Sequence, residues 1–148
     1  MPVLFSRACE YGLRVAIEMA RDQVHPVHLT QTLAARLDIP APFLAKVLQL
    51  LVKKGFLQSS KGRRGGFSFA RNAEEIRLIE IVEAIDGLVL AKDCVMGLPA
   101  CGEGHPCPIH ASWGPVRETI LEILHTKTLG SVARELTPLI PDVPELVG

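Results

Sequence analysis

Apolar residues in the first third of the chain recur at the three- and four-residue intervals of an α-helix. The first such stretch runs from Ser6 to Arg21 and predicts a helix there. Its apolar positions are Ala8, Tyr11, Gly12, Val15, Ala16, Met19 and Ala20. A proline-containing loop follows at 23–27, and Thr30 is of a type that caps helices, so a second helix is predicted to begin near it. Its apolar side comprises Leu33, Ala34 and Leu37.

A third helix is predicted after the tight turn at Asp38 and Ile39. Pro40 and Pro42 suit its first turn, and Gly55 ends it after Lys53 or Lys54. The predicted apolar stripe comprises Phe43, Leu44, Val47, Leu48, Leu50 and Leu51. The opposite face carries Pro42, Lys46, Gln49 and Lys53. Two short helices with such a second face are typical of a helix-turn-helix, although a solvated polar face is the alternative for any single helix.

The stretch 56–70, FLQSSKGRRGGFSFA, alternates apolar and polar residues on both sides of a glycine-rich reversal and predicts a β-hairpin. Arg63 and Arg64 lie at its tip, where arginines serve little packing purpose. Following a helix-turn-helix, a basic hairpin is typical of a wing that contacts DNA phosphates or a minor groove. The predicted DNA-binding residues are Thr30, Gln31, Pro42, Lys46, Gln49, Lys53, Ser60, Lys61, Arg63, Arg64 and Gly65.

The second half of the chain predicts three more helices. The first runs from Glu74 to Asp86, with Ile76, Ile79, Val82 and Ile85 inside and Gly87 as its stop. A long helix is predicted over Ser112 to His125, with Pro115 in its first turn and an apolar edge of Val116, Ile120, Ile123 and Leu124. Thr128 is predicted to cap a short helix that ends at Leu136. A second copy of the chain would cover the long helix, so a homodimer on a palindromic DNA site is expected.

Composition and charge agree with a small DNA-binding protein. The 148 residues suggest a single domain, or one small domain with an appendage. The formal net charge is zero, but residues 1–72 carry eleven Lys or Arg against four Asp or Glu, a net charge of +7 that residues 73–148 balance. A basic half favours a polyanionic partner such as double-stranded DNA. No signal peptide and no membrane span is recognised, so a cytoplasmic location is expected.

Residues 94–110, CVMGLPACGEGHPCPIH, place Cys94, Cys101, Cys107 and His110 in a segment rich in Gly and Pro. Three thiolates and an imidazole could hold a structural zinc ion. Three thiolates could equally bind three corners of an iron–sulfur cluster, with a fourth ligand from elsewhere. The absence of a close Cys-x-x-Cys pair favours the cluster, and unliganded thiols are a third possibility. Cys9, on the first helix, is most simply a small core residue.

Several stretches together resemble the Rrf-type winged-helix regulators, which include the iron–sulfur cluster regulator and the nitric-oxide-sensing repressor. These stretches are SRACEYGLRVAIEMA, LAARLDIPAPFLAKVLQLLVKKGFLQSSKGRRGGF, IVEAIDG, the three-cysteine segment and LHTKTLGSV. The resemblance implies a mainly α fold with a β-hairpin wing and a long dimerisation helix. It also implies a homodimeric transcription factor whose loop cysteines ligate a 2Fe–2S or 4Fe–4S cluster.

The same resemblance offers two fourth ligands. His110 matches a histidine of the cluster-regulator branch, and Glu10 matches an acid of the nitric-oxide branch, where it comes from the other subunit. The expected organisation is a winged helix-turn-helix domain at 1–87, a cluster-binding loop at 88–111, and a dimerisation helix with a tail at 112–148. Loss, oxidation or nitrosylation of the cluster would then change the placement of the paired recognition helices and so the DNA affinity.

The predicted function is therefore that of a DNA-binding regulator, most simply a repressor, that senses nitric oxide, redox state or cluster supply. The first alternative is a winged-helix regulator without a cluster, which answers to a small molecule, a partner protein, thiol oxidation or structural zinc. The second is an enzyme or cluster carrier that uses the thiols. Against an enzyme, the sequence has no nucleophile–base pairing, phosphate-binding loop or catalytic His-Glu helix motif.

Overall fold

A computed structural model describes residues 4–63, 65–87 and 108–136. Helices and strands are numbered along the described residues. They are α1 (Arg7–Arg21), α2 (Thr30–Leu37), α3 (Ala41–Lys53), β1 (Leu57–Ser60), β2 (Gly66–Phe69), a 3-10 helix (Ala73–Glu75), α4 (Leu78–Asp86), α5 (His110–Thr126) and α6 (Leu129–Glu135). The order confirms the predicted winged helix-turn-helix with a long additional helix. No helix in the described ranges is long and apolar enough to cross a membrane.

The core forms where α1 packs against α2, α3, α4 and α6. Ser6 caps α1, because its Oγ accepts a hydrogen bond from the backbone N–H of Cys9 at 3.1 Å. The turn between α2 and α3 uses a left-handed residue, Asp38, with φ 53°. The predicted N-cap of α2 is wrong by one residue: Leu29 occupies that position, and Thr30 is already helical. Leu29 supplies no side-chain capping bond.

Helix α3 buries a narrower stripe than the sequence predicts. Leu44, Val47, Leu48 and Leu51 are buried as expected. Phe43, however, is 61% exposed, and Leu50 is only half-buried. Each residue around a helix advances by about 100°, so Phe43 is rotated away from the side on which Leu44 packs. The prediction that Phe43 belongs to the core is therefore wrong.

The hairpin pairs β1 and β2 antiparallel, from Leu57 opposite Phe69 to Ser60 opposite Gly66. Its turn contains Gly62 at φ +101°, a conformation that favours glycine. The loop before α2 pairs with the hairpin as a third extended segment, because His28 and Phe67 exchange backbone hydrogen bonds of 2.8 Å in both directions. Gly66 lies so close to this loop that a Cβ atom there would clash with the carbonyl oxygen of His28.

The helix predicted over Glu74 to Asp86 is in fact two elements separated by extended backbone at Ile76 and Arg77. The break occurs because this segment pairs with the loop before α6. Leu78 N–H donates to the carbonyl of Lys127, and Leu129 N–H donates to the carbonyl of Ile76, both at 2.9 Å. As predicted, Ile76, Ile79 and Val82 are buried and Gly87 follows the helix end, whereas Ile85 is only half-buried.

Helix α5 begins at His110, two residues before the predicted start, so Pro115 lies inside the helix rather than in its first turn. Leu124 is buried, whereas Val116 and Ile123 are about half exposed, at 48% and 49%. Helix α6 forms where predicted, and the Oγ of its cap, Thr128, accepts a hydrogen bond from the N–H of Ser131.

Helix α6 returns to the N-terminal part of the fold. It packs on α1 and on the 3-10 helix. Leu129 is completely buried there, and Arg134 pairs with Glu74. The core that supports the helix-turn-helix thus includes residues from both ends of the described chain.

Candidate nucleic-acid interface

A groove lies between the start of α2, the middle of α3 and the wing. Its volume is about 470 Å³, and it is open to solvent. We call it the wing groove. Six of the residues predicted to bind DNA line it: Thr30, Gln31, Gln49, Ser60, Lys61 and Gly65. The fold thus brings together side-chain hydroxyl and amide groups that lie up to 30 positions apart in the sequence.

The remaining predicted residues do not line this groove, and one of them falls outside the described ranges. Pro42, Lys46 and Lys53 are exposed along α3, and Arg63 is exposed at the hairpin turn. Arg64 lies outside the described residues. The predicted exposed face of α3 is therefore present, with its two lysines on the side that carries Gln49.

Four cations of this surface have no acidic partner among the described residues. Within the described ranges, Lys46, Lys53, Lys61 and Arg63 take part in no ion pair. The ion-paired cations lie elsewhere, as in Arg36 with Asp22, Arg71 with Glu80 and Arg134 with Glu74. A surface with cations but no paired acids attracts a polyanion.

A cluster of polar side chains supports the loop that contains His28, whose backbone pairs with the wing hairpin. We call Glu18, Asp22, His25, His28 and Arg36 the Asp22 cluster. The Asp22 carboxylate accepts hydrogen bonds from the backbone N–H of His25 at 3.1 Å and from Arg36 at 3.2 Å. His28 is only 7% exposed, and its Nδ1 lies 4.0 Å from Asp22. The cluster joins the end of α1 to α2 and to the strand-like segment at His28.

Protonation equilibria in the Asp22 cluster follow from these contacts. Burial alone would raise the pKa of Asp22, but hydrogen bonds from His25 and Arg36 outweigh it and bring the pKa to about 2. Burial lowers the pKa of His28, and the negative charge of Asp22 opposes this only in part. The cluster is therefore built around an ionised aspartate and a histidine held toward its neutral form. The sequence does not predict this cluster, since the stretch 23–27 indicates only a loop.

The predicted metal ligands Cys94, Cys101 and Cys107 lie outside the described residues. Among the residues that are described, no three His, Cys, Asp or Glu side chains come together as a metal site. Cys9 is completely buried, and burial together with the negative charge of Asp86 raises the pKa of its thiol to about 12. A neutral, buried thiol is a poor metal ligand, which supports the core role predicted for Cys9.

The two predicted fourth ligands lie on different helices. Glu10 is exposed in the first turn of α1. That turn is tied to the end of α4, because the N–H of Ser6 donates to Asp86 at 2.8 Å and the Ser6 hydroxyl donates to the same carboxylate. His110 is half-buried and is the first residue of α5.

Comparison with known proteins agrees with this architecture. Residues 5–135 match the Rrf2 family, described as iron-dependent transcriptional regulators. An HTH-type transcriptional regulator of Aquifex aeolicus is 30% identical over 129 residues, which cover 86% of this chain and 89% of that protein. The HTH-type transcriptional regulator IscR of Xenorhabdus nematophila is 31% identical, over 84% of this chain and 73% of its own length.

A solved structure has the same fold. It is that of CymR from B. subtilis, described as the global cysteine regulator, with a TM-score of 0.74 and 20% sequence identity over 89% of this chain and 97% of CymR. The matched relatives are regulators of transcription, which confirms the prediction that the protein is not an enzyme. With a winged helix-turn-helix and a family match over nearly its whole length, the chain belongs to the Rrf2 family of DNA-binding transcriptional regulators.

Proposed function

We propose that the protein is a homodimeric cytoplasmic repressor that inserts α3 into the major groove of a palindromic DNA site and places its wing on the adjacent backbone. The single observation that carries this is the unpaired cationic surface around the wing groove, set on a helix-turn-helix. Specific DNA binding needs both charge for phosphates and hydrogen-bonding groups for base edges.

The side chains divide between these two tasks. Lys46, Lys53, Lys61 and Arg63 are suited to phosphate contacts, because each is exposed and without an acidic partner in the described ranges. Arg64 is proposed to act with Arg63 at the tip of the wing. Gln49 has the amide that reads adenine in a major groove. The DNA strand that passes along the wing groove would be contacted by Thr30, Gln31, Ser60 and the backbone of Gly65. Pro42 would contact DNA near the start of α3.

The proposed dimer forms through α5. Val116 and Ile123 are seven residues apart, two helical turns, and therefore lie on the same side of α5. Both are about half exposed, and Ile109 just before the helix is 37% exposed. A second copy of α5 would bury these side chains and set the spacing between two recognition helices, as a two-fold DNA site requires.

We further propose that an iron–sulfur cluster controls DNA binding. The ligands would be Cys94, Cys101 and Cys107, with Glu10 or His110 as the fourth. Three soft thiolates with one oxygen or nitrogen donor suit iron, and the family's description as iron-dependent agrees. When bound, the cluster would supply an iron centre that reacts with oxidants and nitric oxide. Absorption and Mössbauer spectra would distinguish a 2Fe–2S cluster from a 4Fe–4S cluster.

The described residues offer a route by which this segment could affect DNA binding. Asp86, at the end of α4, holds the start of α1 through Ser6. The cysteine segment follows α4 in the sequence and precedes α5, the proposed dimer helix, which packs on α4. A change in the cysteine segment would therefore act on both α4 and α5. Through these two helices it would alter the spacing of the two recognition helices.

Regulation without a cluster is the second candidate. It is favoured by the structural likeness to CymR, described as a global cysteine regulator. In this case the same fold would respond to thiol oxidation, structural zinc, a small molecule or a partner protein through the same cysteine segment.

The test is DNA binding by anoxically purified full-length protein. A duplex from its own upstream DNA is titrated with the protein as purified, after metal removal, and after addition of nitric oxide. The cluster proposal expects a brown, iron-containing protein whose affinity changes between these states. A colourless protein that stays iron-free after reconstitution and binds the duplex equally in all states contradicts the cluster and leaves the second candidate. Failure to bind any duplex contradicts DNA regulation itself.

A further inference from the structure

Phe43 is an aromatic side chain without a place in the core. It is 61% exposed in the first turn of α3. The other aromatic side chains in the described ranges are buried or half-buried, so Phe43 is the exception among them. Its neighbour Leu44 is completely buried, which means that α3 could pack without Phe43. A large apolar ring on the surface indicates a contact with another molecule.

The position of Phe43 on α3 is specific. It follows Pro42 and precedes Lys46 by three residues, so Phe43 and Lys46 are neighbours on the helix surface. Lys46 is exposed and has no acidic partner in the part of the chain described. In a helix-turn-helix, the first turns of the second helix reach the base edges. Phe43 thus lies where bases are contacted, next to a cation suited to phosphate.

A second copy of this chain is a less suitable occupant of this surface. The cations around it, Lys46, Lys53 and Arg63, would be repeated across a two-fold axis and would repel each other. The half-exposed apolar residues of α5, Val116 and Ile123, offer a surface better suited to self-association. Charge complementarity therefore indicates that the surface around Phe43 binds a polyanion rather than a second copy of the chain.

We propose that Phe43 packs against the C5-methyl group of a thymine in the major groove and thereby selects thymine at one position of each half-site. This inference rests on the proposed DNA binding. Thymine alone among the four bases presents a methyl group in the major groove, and apolar side chains recognise it by contact. Gln49 and Lys46 read DNA through polar head groups, whereas Phe43 offers the largest exposed apolar side chain of α3 and is therefore suited to a methyl group.

The experiment removes the methyl group and nothing else. A duplex is selected from a random library by the wild-type protein, and each thymine is then replaced singly by deoxyuridine. For the wild type, replacement at one thymine of each half-site is expected to weaken binding by about threefold to tenfold, the effect of one buried methyl group. For Phe43→Ala, the same replacement is expected to change nothing, and Phe43→Leu should retain part of the effect.

Val24→Ala is the matched control, since Val24 is 81% exposed in the loop after α1 and lies outside α3 and the wing. This variant should respond to deoxyuridine as the wild type does. Wild-type protein that binds the duplex but is insensitive at every thymine overturns the proposal and leaves DNA binding intact. Equal sensitivity in wild type and Phe43→Ala also overturns it, as does a Phe43→Ala protein that has become monomeric. If no duplex is selected at all, the proposed DNA binding has failed instead.

Discussion

His28 and Phe67 hold each other through two backbone hydrogen bonds of 2.8 Å, one in each direction. The loop before α2 thereby becomes a third partner of the wing hairpin. Because His28 also belongs to the Asp22 cluster, the wing is connected to the end of α1 and to α2. The position of the wing relative to the helix-turn-helix therefore depends on a loop anchored by the buried His28 as well as on its own two strands.

The first prediction concerns this close approach. Gly66→Ala would place a methyl group against the carbonyl oxygen of His28 and is expected to lower the free energy of unfolding by about 2–3 kcal/mol. Thermal and urea unfolding measure the change. Gly114→Ala in α5 is the control: nothing lies near its added Cβ, so it should be neutral or stabilise by up to about 1 kcal/mol. Equal effects of the two substitutions would contradict the close contact.

The second prediction concerns the charge of the wing. Replacing Arg63 and Arg64 by Gln should weaken DNA binding by about tenfold and reduce the slope of log affinity against log salt by about one per lost phosphate contact. Fluorescence anisotropy at several salt concentrations measures both quantities. Arg134→Gln is the matched control, because Arg134 pairs with Glu74 away from the wing groove. An unchanged slope in the double variant would remove the arginines from the interface.

The third prediction follows from the pKa of Asp22, about 2 against an ordinary value of 3.8. The folded state favours the ionised form, so the stabilisation is complete above about pH 4 and is lost as the pH falls toward 2. Asp22→Asn should remove about 1–2 kcal/mol of stability at pH 6 and flatten this part of the stability profile. Chemical unfolding between pH 2 and pH 6 measures it.

The control for this pH experiment is Asp38→Asn, at the exposed turn between α2 and α3. Asparagine tolerates the left-handed conformation there, so little change in stability is expected. If Asp22→Asn keeps the full wild-type acid profile, the Asp22 cluster is not the source of this stability.

The fourth prediction tests the proposed dimer helix. Val116→Asp with Ile123→Asp places two charges on the half-exposed apolar side of α5 and is expected to raise the dimer dissociation constant by about 100-fold. Analytical ultracentrifugation measures it, and affinity for a palindromic duplex should fall in parallel. Val24→Asp, on a surface far from α5 in sequence, should remain dimeric. A double variant that stays dimeric would place the interface elsewhere.

The fifth prediction distinguishes the candidate cluster ligands. Cys101→Ala should abolish the cluster absorption of anoxically purified protein, and either Glu10→Ala or His110→Ala should shift it. Cys9→Ala should keep the spectrum, because that thiol is buried and protonated, and should cost only about 1 kcal/mol of stability. If Glu10→Ala and His110→Ala both leave the spectrum unchanged, neither residue is a ligand.

Much of the architecture could be predicted because it depends on local patterns. The spacing of apolar residues located α1, α2 and α3, the capping residue Thr128 located α6, and the glycine-rich reversal located the hairpin. The break at Ile76 and Arg77 could not be predicted, because it results from pairing with Lys127 and Leu129, some fifty residues away. Helical propensity alone favours continuing the helix there, and the tertiary pairing overrides it.

The sequence predicts which residues belong to the candidate interface, but not how these residues lie relative to one another. The exposed face of α3 and the basic turn follow from periodicity and turn chemistry. The exposure of Phe43 was missed, because an apolar residue beside Leu44 fits the core pattern equally well until the width of the buried stripe is known. The Asp22 cluster was missed for a similar reason: its members are brought together by the path of a loop that has no periodicity.

By itself, the sequence determined the order of helices and strands, the basic character of the N-terminal half, and the presence of three cysteines in one segment. These properties are local, since each depends on neighbouring residues or on counting. Only the tertiary structure decided which side chains share a surface: the wing groove, the third wing partner at His28, and the return of α6 to the core. The physical reason is that close packing and backbone pairing between distant segments select one arrangement from the many that the same local patterns allow.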